Sequence, residues 1–118
     1  MRDPTQCELW TRPELVLAPT KERFELVETF ADESHFWRCL LKCRECGQLY
    51  FQEFHEEIDW EAGDDPQHTT YVPVESDAEI ETLKATPRLG LLAFSPRLHK
   101  DFPKGAKEPS AHWVRPAG

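Results

Sequence analysis

The sequence predicts an α+β fold: an antiparallel β-sheet with a hairpin knuckle at Cys43-Arg-Glu-Cys46-Gly47, followed by short C-terminal helices. Three observations carry this. Apolar and aromatic runs at residues 35–43 and 48–60 flank a short glycine-bearing connection, the pattern of two paired strands. Residues 69–74, Thr-Thr-Tyr-Val-Pro-Val, are β-branched and aromatic and supply a third strand. Ser76-Asp-Ala-Glu79 then has the form of a capping box, with Ser76 as cap and Glu79 reaching back, so a short helix runs to about Ala85.

The remaining elements follow in order. In residues 24–30 the apolar side chains fit either a helix or an alternating strand, and the β-branched and aromatic content favours the strand. Residues 31–34, Ala-Asp-Glu-Ser, form a polar turn before the hairpin. Gly47 is placed to supply the positive φ that closes the hairpin connection. Residues 61–67 are rich in turn formers. Pro73 lacks an amide donor, so the third strand should lie on an edge or end there. Thr86-Pro87 marks a second helix start, with Leu89, Leu91, Leu92 and Phe94 as its apolar face. Ser95-Pro96 opens a turn anchored by Leu98 and Phe102, residues 103–109 form a loop, and residues 111–115 make a last short strand.

At 118 residues the chain fits a single domain, 1–118, whose modest core a metal staple would help without being obligatory. There is no apolar run of about eighteen residues, as a membrane span requires. Residues 1–7 lack the apolar stretch of a secretory signal, so a cytoplasmic setting with reduced thiols is expected.

The net charge of −8 is unevenly spread: residues 45–83 hold twelve acids and no Lys or Arg, whereas residues 84–118 hold two acids and seven bases. The densest acidic stretch is residues 53–65. Such a segment repels phosphates and argues against duplex nucleic acid. It reads either as a solvated face or as a docking surface for a basic protein partner.

Three of the four cysteines, Cys39, Cys43 and Cys46, fall within eight residues, with Cys7 far upstream. In a reducing setting this spacing favours metal ligation over disulfides. Cys-x-x-Cys offers two thiolates to a tetrahedral zinc ion. Cys43-Arg-Glu-Cys46-Gly47 resembles the knuckle of zinc-ribbon and rubredoxin-like folds. The resemblance covers residues 43–47 and implies turn amides aimed at the sulfurs and a structural zinc ion. In an extended strand Cys39 stands about 13 Å from Cys43, so packing is its favoured role. Cys7 is the better third ligand, free to arrive from an N-terminal segment laid beside the hairpin. The fourth ligand is open between Cys39 and one of His35, His55, His68, His99 and His112.

Other patterns are weaker. The spacing Cys39-x₃-Cys43-x₂-Cys46 matches a radical SAM cluster motif, but this chain is too short for the barrel that surrounds such a cluster. Hairpin context argues against a thioredoxin-like redox pair. Glu53, His55, Glu57 and Asp59 alternate along one strand face, which suits either an acid–base site or the wet side of a half-buried sheet. The acids of residues 59–65 fall out of register for a calcium loop. There is no glycine-rich phosphate cradle and no serine nucleophile elbow. Trp10, Trp37, Trp60 and Trp113 are mainly core residues, one or two serving as partner anchors.

The leading expectation is a small non-enzymatic zinc-knuckle protein that binds a basic partner through its acidic surface, an inhibitor or immunity-type protein being one form of it. A zinc enzyme with an open coordination position, and a metal-free protein with buried thiols, are the alternatives.

Overall fold

The computed structural model describes residues 1–56, 66–102 and 106–115. Its centre is a six-stranded sheet: β1 (Phe24–Glu33), β2 (Phe36–Cys43), β3 (Leu49–Glu56), β4 (Gln67–Val74), β5 (Arg97–Phe102) and β6 (Ser110–Val114). The strands lie in chain order and every neighbouring pair is antiparallel. Before the sheet come α1 (Glu8–Thr11), a 3₁₀ turn (Pro13–Leu17) and α2 (Thr20–Arg23). Between β4 and β5 come α3 (Asp77–Lys84) and a second 3₁₀ turn (Gly90–Ala93).

Both faces of the sheet are covered, so the central strands β2, β3 and β4 are buried or half-buried over most of their length on both sides instead of alternating. On one face Cys39, Leu41, Cys43, Tyr50, Tyr71 and Leu98 pack under Cys7, Leu9 and Val16 from the N-terminal segment. Phe24 joins Tyr50 edge to face and stacks on Tyr71, each at 5.7 Å between ring centroids. On the other face Leu40, Phe51, Val72 and Val74 pack against Ile80 and Leu83 of α3 and against Leu91. The result is three layers, with the sheet in the middle.

The helical layer on the second face is fastened by a buried ion pair. Arg38 donates from Nε and Nη2 to Glu53 Oε1 at 2.9 and 2.7 Å across the β2–β3 pair. Its remaining donors reach the carbonyls of Leu83 in the last turn of α3 and of Thr86 and Pro87 just beyond it. Glu53 therefore belongs to the interior, at 3% exposure, and not to an acidic surface. A buried carboxylate is retained because the guanidinium compensates it in full.

Several elements differ from the sequence reading. β1 continues to Glu33, so the turn into β2 is shorter than the polar stretch at 31–34 suggested. Register shifts at Leu26/Glu28 and Thr29/Ala31 bend this edge strand, and its exposed Glu25, Glu28 and Asp32 discourage pairing with another edge. β4 is an internal strand, yet its pairing with β5 ends at Tyr71, so Pro73 has no donor to offer on that flank and the strand stops at Val74. α3 is capped as expected, Ser76 Oγ accepting from Glu79 N and Glu79 Oε1 accepting from Glu75 N. The second C-terminal helix is instead a single 3₁₀ turn. Gly90 and the left-handed backbone at Leu89 leave no regular first turn for Pro87 to start. Residues 97–102, read as a turn with two anchors, form β5.

Trp10 packs edge to face on Trp113 at 4.9 Å, and Trp37 stacks on Phe54 at 3.8 Å. Trp60, the acids from 57 to 65 and the loop positions 103–105 lie outside the described residues. Among those described, no helix is long and apolar enough to cross a membrane.

Candidate metal centre

The hairpin turn places two sulfurs by local rules. Cys43 ends β2, its amide donating to Gln48 O at 2.8 Å, and Gly47 N returns to Cys43 O at 2.9 Å. Gly47 takes φ +81°, a backbone state that a side chain would oppose, and this lets Cys46 fold back toward Cys43.

The third sulfur arrives from the opposite end of the chain. Cys7 directly precedes α1, and its amide donates to Pro4 O at 2.9 Å. Long-range bonds hold this segment against the sheet: Gln6 Nε2 donates to the buried Gln48 Oε1 at 2.6 Å, and Trp113 Nε1 donates to Leu9 O at 2.7 Å. Arg44 also ties the hairpin to α2, donating to the carbonyls of Lys21 and Arg23.

The sulfurs of Cys7, Cys43 and Cys46 all lie within 4.8 Å of one another, with Cys7 Sγ 3.9 Å from Cys43 Sγ and no disulfide between them. Cys7 and Cys43 are buried and Cys46 is half-buried. This is a cluster able to hold a metal ion. Among the described residues no other Cys, His, Asp or Glu belongs to it.

No family model, curated protein or solved structure matches the chain. The site therefore has to be read from its own chemistry. Burial opposes ionisation of Cys43, yet the backbone amides of Cys46 and Glu45 and the thiols of Cys46 and Cys7 beside its sulfur carry it below its ordinary value. Amides favouring a thiolate are what a metal knuckle requires. Cys7 goes the other way, pushed up to about 12 by burial, with the Tyr50 hydroxyl and the Leu9 amide offsetting part of that. A group so placed is a neutral thiol until a cation joins it.

Tyr50 is a residue that sequence reading missed. Its hydroxyl is buried beside the sulfurs, raised by burial first and then by Cys7, and it finds no well-formed hydrogen bond among the described residues. An orphaned buried donor costs about 1–3 kcal/mol, and a thiolate on Cys7 would give it an acceptor. At the rim, the neighbouring carboxyl groups of Glu8 and Glu45 perturb each other, Glu8 lowered and Glu45 raised.

The structure does not bring Cys39 to the cluster. Strand geometry keeps it four residues along β2 from Cys43, where its thiol donates to Gln52 Oε1 at 3.0 Å. Burial pushes it up to about 11, as suits a packed neutral thiol. None of the five histidines joins the sulfurs either. His35 Nδ1 meets Glu56 at 2.8 Å, and the other four lie on the opposite face of the sheet. Of the alternating acidic row, Glu53 is committed to Arg38, and Glu57 and Asp59 lie outside the described residues.

Proposed function

We propose that Cys7, Cys43 and Cys46 hold a structural zinc ion, and that the chain acts as a non-enzymatic binding module for a basic protein partner. The observation that carries the metal reading is the convergence of three sulfurs from segments 36 residues apart. The donor set fits: soft thiolates select zinc, and amides stand beside the most readily ionised of them. When bound, the ion supplies a crosslink between the N-terminal layer and the β2–β3 hairpin. Tyr50 then donates to the Cys7 thiolate. Zinc content of the purified protein, measured beside a C43S/C46S variant, tests this. One zinc per chain in the parent and none in the variant is expected, and a metal-free, fully folded parent refutes it.

The count of three ligands favours a second reading, a zinc enzyme whose fourth position is open. Two buried sulfurs count against it, and none of the main cavities is lined by any of the three. Hydrolase or lyase turnover that disappears on chelation and returns with zinc would reverse the preference.

The partner reading rests on the surplus of acids and on their exposure along β1 and α3, where Glu25, Glu28, Asp77 and Glu81 face solvent. Capture of a partner at low salt, lost as salt rises, is expected of such a surface. Binding indifferent to salt would remove the acidic face from the account.

A further inference from the structure

The histidines form a pattern of their own on the face opposite the sulfurs. β3 presents Glu53 and His55, β4 His68 and Thr70, β5 Arg97, His99 and Asp101, and β6 His112. Register pairs His55 with His68, Thr70 with His99, His68 with Asp101, and His99 with His112. These residues floor a cavity of about 660 Å³, and Leu89, Leu92 and Val114 supply apolar walls. That volume is within the range of small-molecule sites, roughly 300–1,000 Å³.

Three separate features make it a site and not a gap. Leu89 and Leu92 stay 47% and 46% exposed at the cavity, where burial under α3 was available to neighbouring leucines. Leu89 holds φ +65°, a left-handed backbone disfavoured for a branched side chain. The floor's charges are also unequally committed. Glu53 is neutralised by Arg38, and Asp101 Oδ1 is hydrogen-bonded to His68 Nδ1 at 2.9 Å. Arg97 forms no ion pair with any described residue. Its Nε donates to His99 Nε2 at 2.8 Å and its Nη1 to Phe94 O at 2.8 Å, leaving Nη2 uncommitted among them. Because His99 Nε2 accepts that bond, the neutral ring carries its proton on Nδ1 and is itself a donor.

We infer that this cavity binds a small organic monocarboxylate with a flat apolar body. The Arg97 Nη2 group, on a guanidinium with no acid partner among the described residues, matches a single negative charge, the His99 N–H adds a directed donor, and the stacked His99 and His112 rings at 5.6 Å with the two leucines receive the apolar part. A transition metal fits less well. The ring nitrogens do not converge as the sulfurs do, and Arg97 would oppose a dication.

The test is an NMR titration of the full-length chain with 1-naphthoate and, separately, with the uncharged 1-naphthalenemethanol, following the histidine ring signals. Saturable shifts of His55, His99 and His112 are expected below roughly 1 mM naphthoate, with the alcohol at least about tenfold weaker, the worth of one charge-assisted hydrogen bond. Arg97→Gln should bring naphthoate down to the alcohol's affinity, and Leu92→Ser, on the exposed wall, should weaken both probes together. Absence of saturable shifts, equal binding of the two probes, or stoichiometric Ni²⁺ binding at the same rings by the C43S/C46S variant would each overturn the inference.

Discussion

The two faces of the sheet carry layers of similar size but opposite character. The N-terminal layer packs apolar side chains and thiols onto its face, and its polar ties are a few part-buried bonds to carbonyl and amide groups. The α3 layer covers only the part of its face over β2–β4, is held by one buried ion pair, and leaves the β5–β6 side as a histidine-floored cavity. The lesson is that a layer pinned at one polar point can leave a cavity beside it. The thiol-bearing face leaves one too, a cavity of about 460 Å³ beside β1 and β2 lined by Cys39, Leu41 and Gln52.

Breaking the pin should have the largest effect. Arg38→Ala strands Glu53 in the interior and frees three carbonyls, and about 3–5 kcal/mol of stability should disappear in a urea melt. The paired replacement R38M/E53L should recover most of that loss, because no uncompensated charge remains. If the two variants are equally unstable, the pin is not electrostatic.

Removing the proposed zinc ion tests the other face. With free zinc held a hundredfold above its dissociation constant, chelation should cost about 2.7 kcal/mol. The same chelator should leave the unfolding of C43S/C46S unchanged.

Cys39→Ala separates packing from ligation. It leaves Gln52 Oε1 without its donor in a buried setting and should cost about 1–2 kcal/mol, with zinc content unaltered. A fall in zinc would return Cys39 to the ligand set.

The smallest expected effect is a pH slope from the cavity. Burial first, and then Arg97, His112 and His68 against the opposing Asp101, hold His99 below its ordinary 6.5. As pH falls through 6.5 the unfolded chain takes up a proton that the folded ring refuses, so stability declines. The decline ends once pH is low enough to protonate the folded ring as well. His99→Gln should flatten urea midpoints measured between about pH 7.5 and 5 relative to the parent.

The strands of the hairpin and the Cys43–Cys46 turn were legible because they are local. The β-branched runs, the turn formers and the Cys-x-x-Cys-Gly spacing act over a few residues, and Gly47 adopts the conformation its position demanded. β5 was missed because only Leu98 and Phe102 are apolar among polar and charged neighbours, although Arg97, His99 and Asp101 alternate with Leu98, Lys100 and Phe102 as a strand requires. The short N-terminal helices carried no periodic signal, since four or five residues span barely one turn.

Sequence by itself determined that Cys43 and Cys46 would meet at a hairpin turn, and it left Cys39 open as a fourth ligand. Tertiary structure decided the rest: that Cys7, the third sulfur the sequence preferred, reaches them while Cys39 does not, that Tyr50 stands beside it, and that four histidines from four strands share one wall. The physical reason is range. Backbone sterics fix neighbours within a turn, whereas the meeting of distant segments depends on strand register and on which layer buries which face.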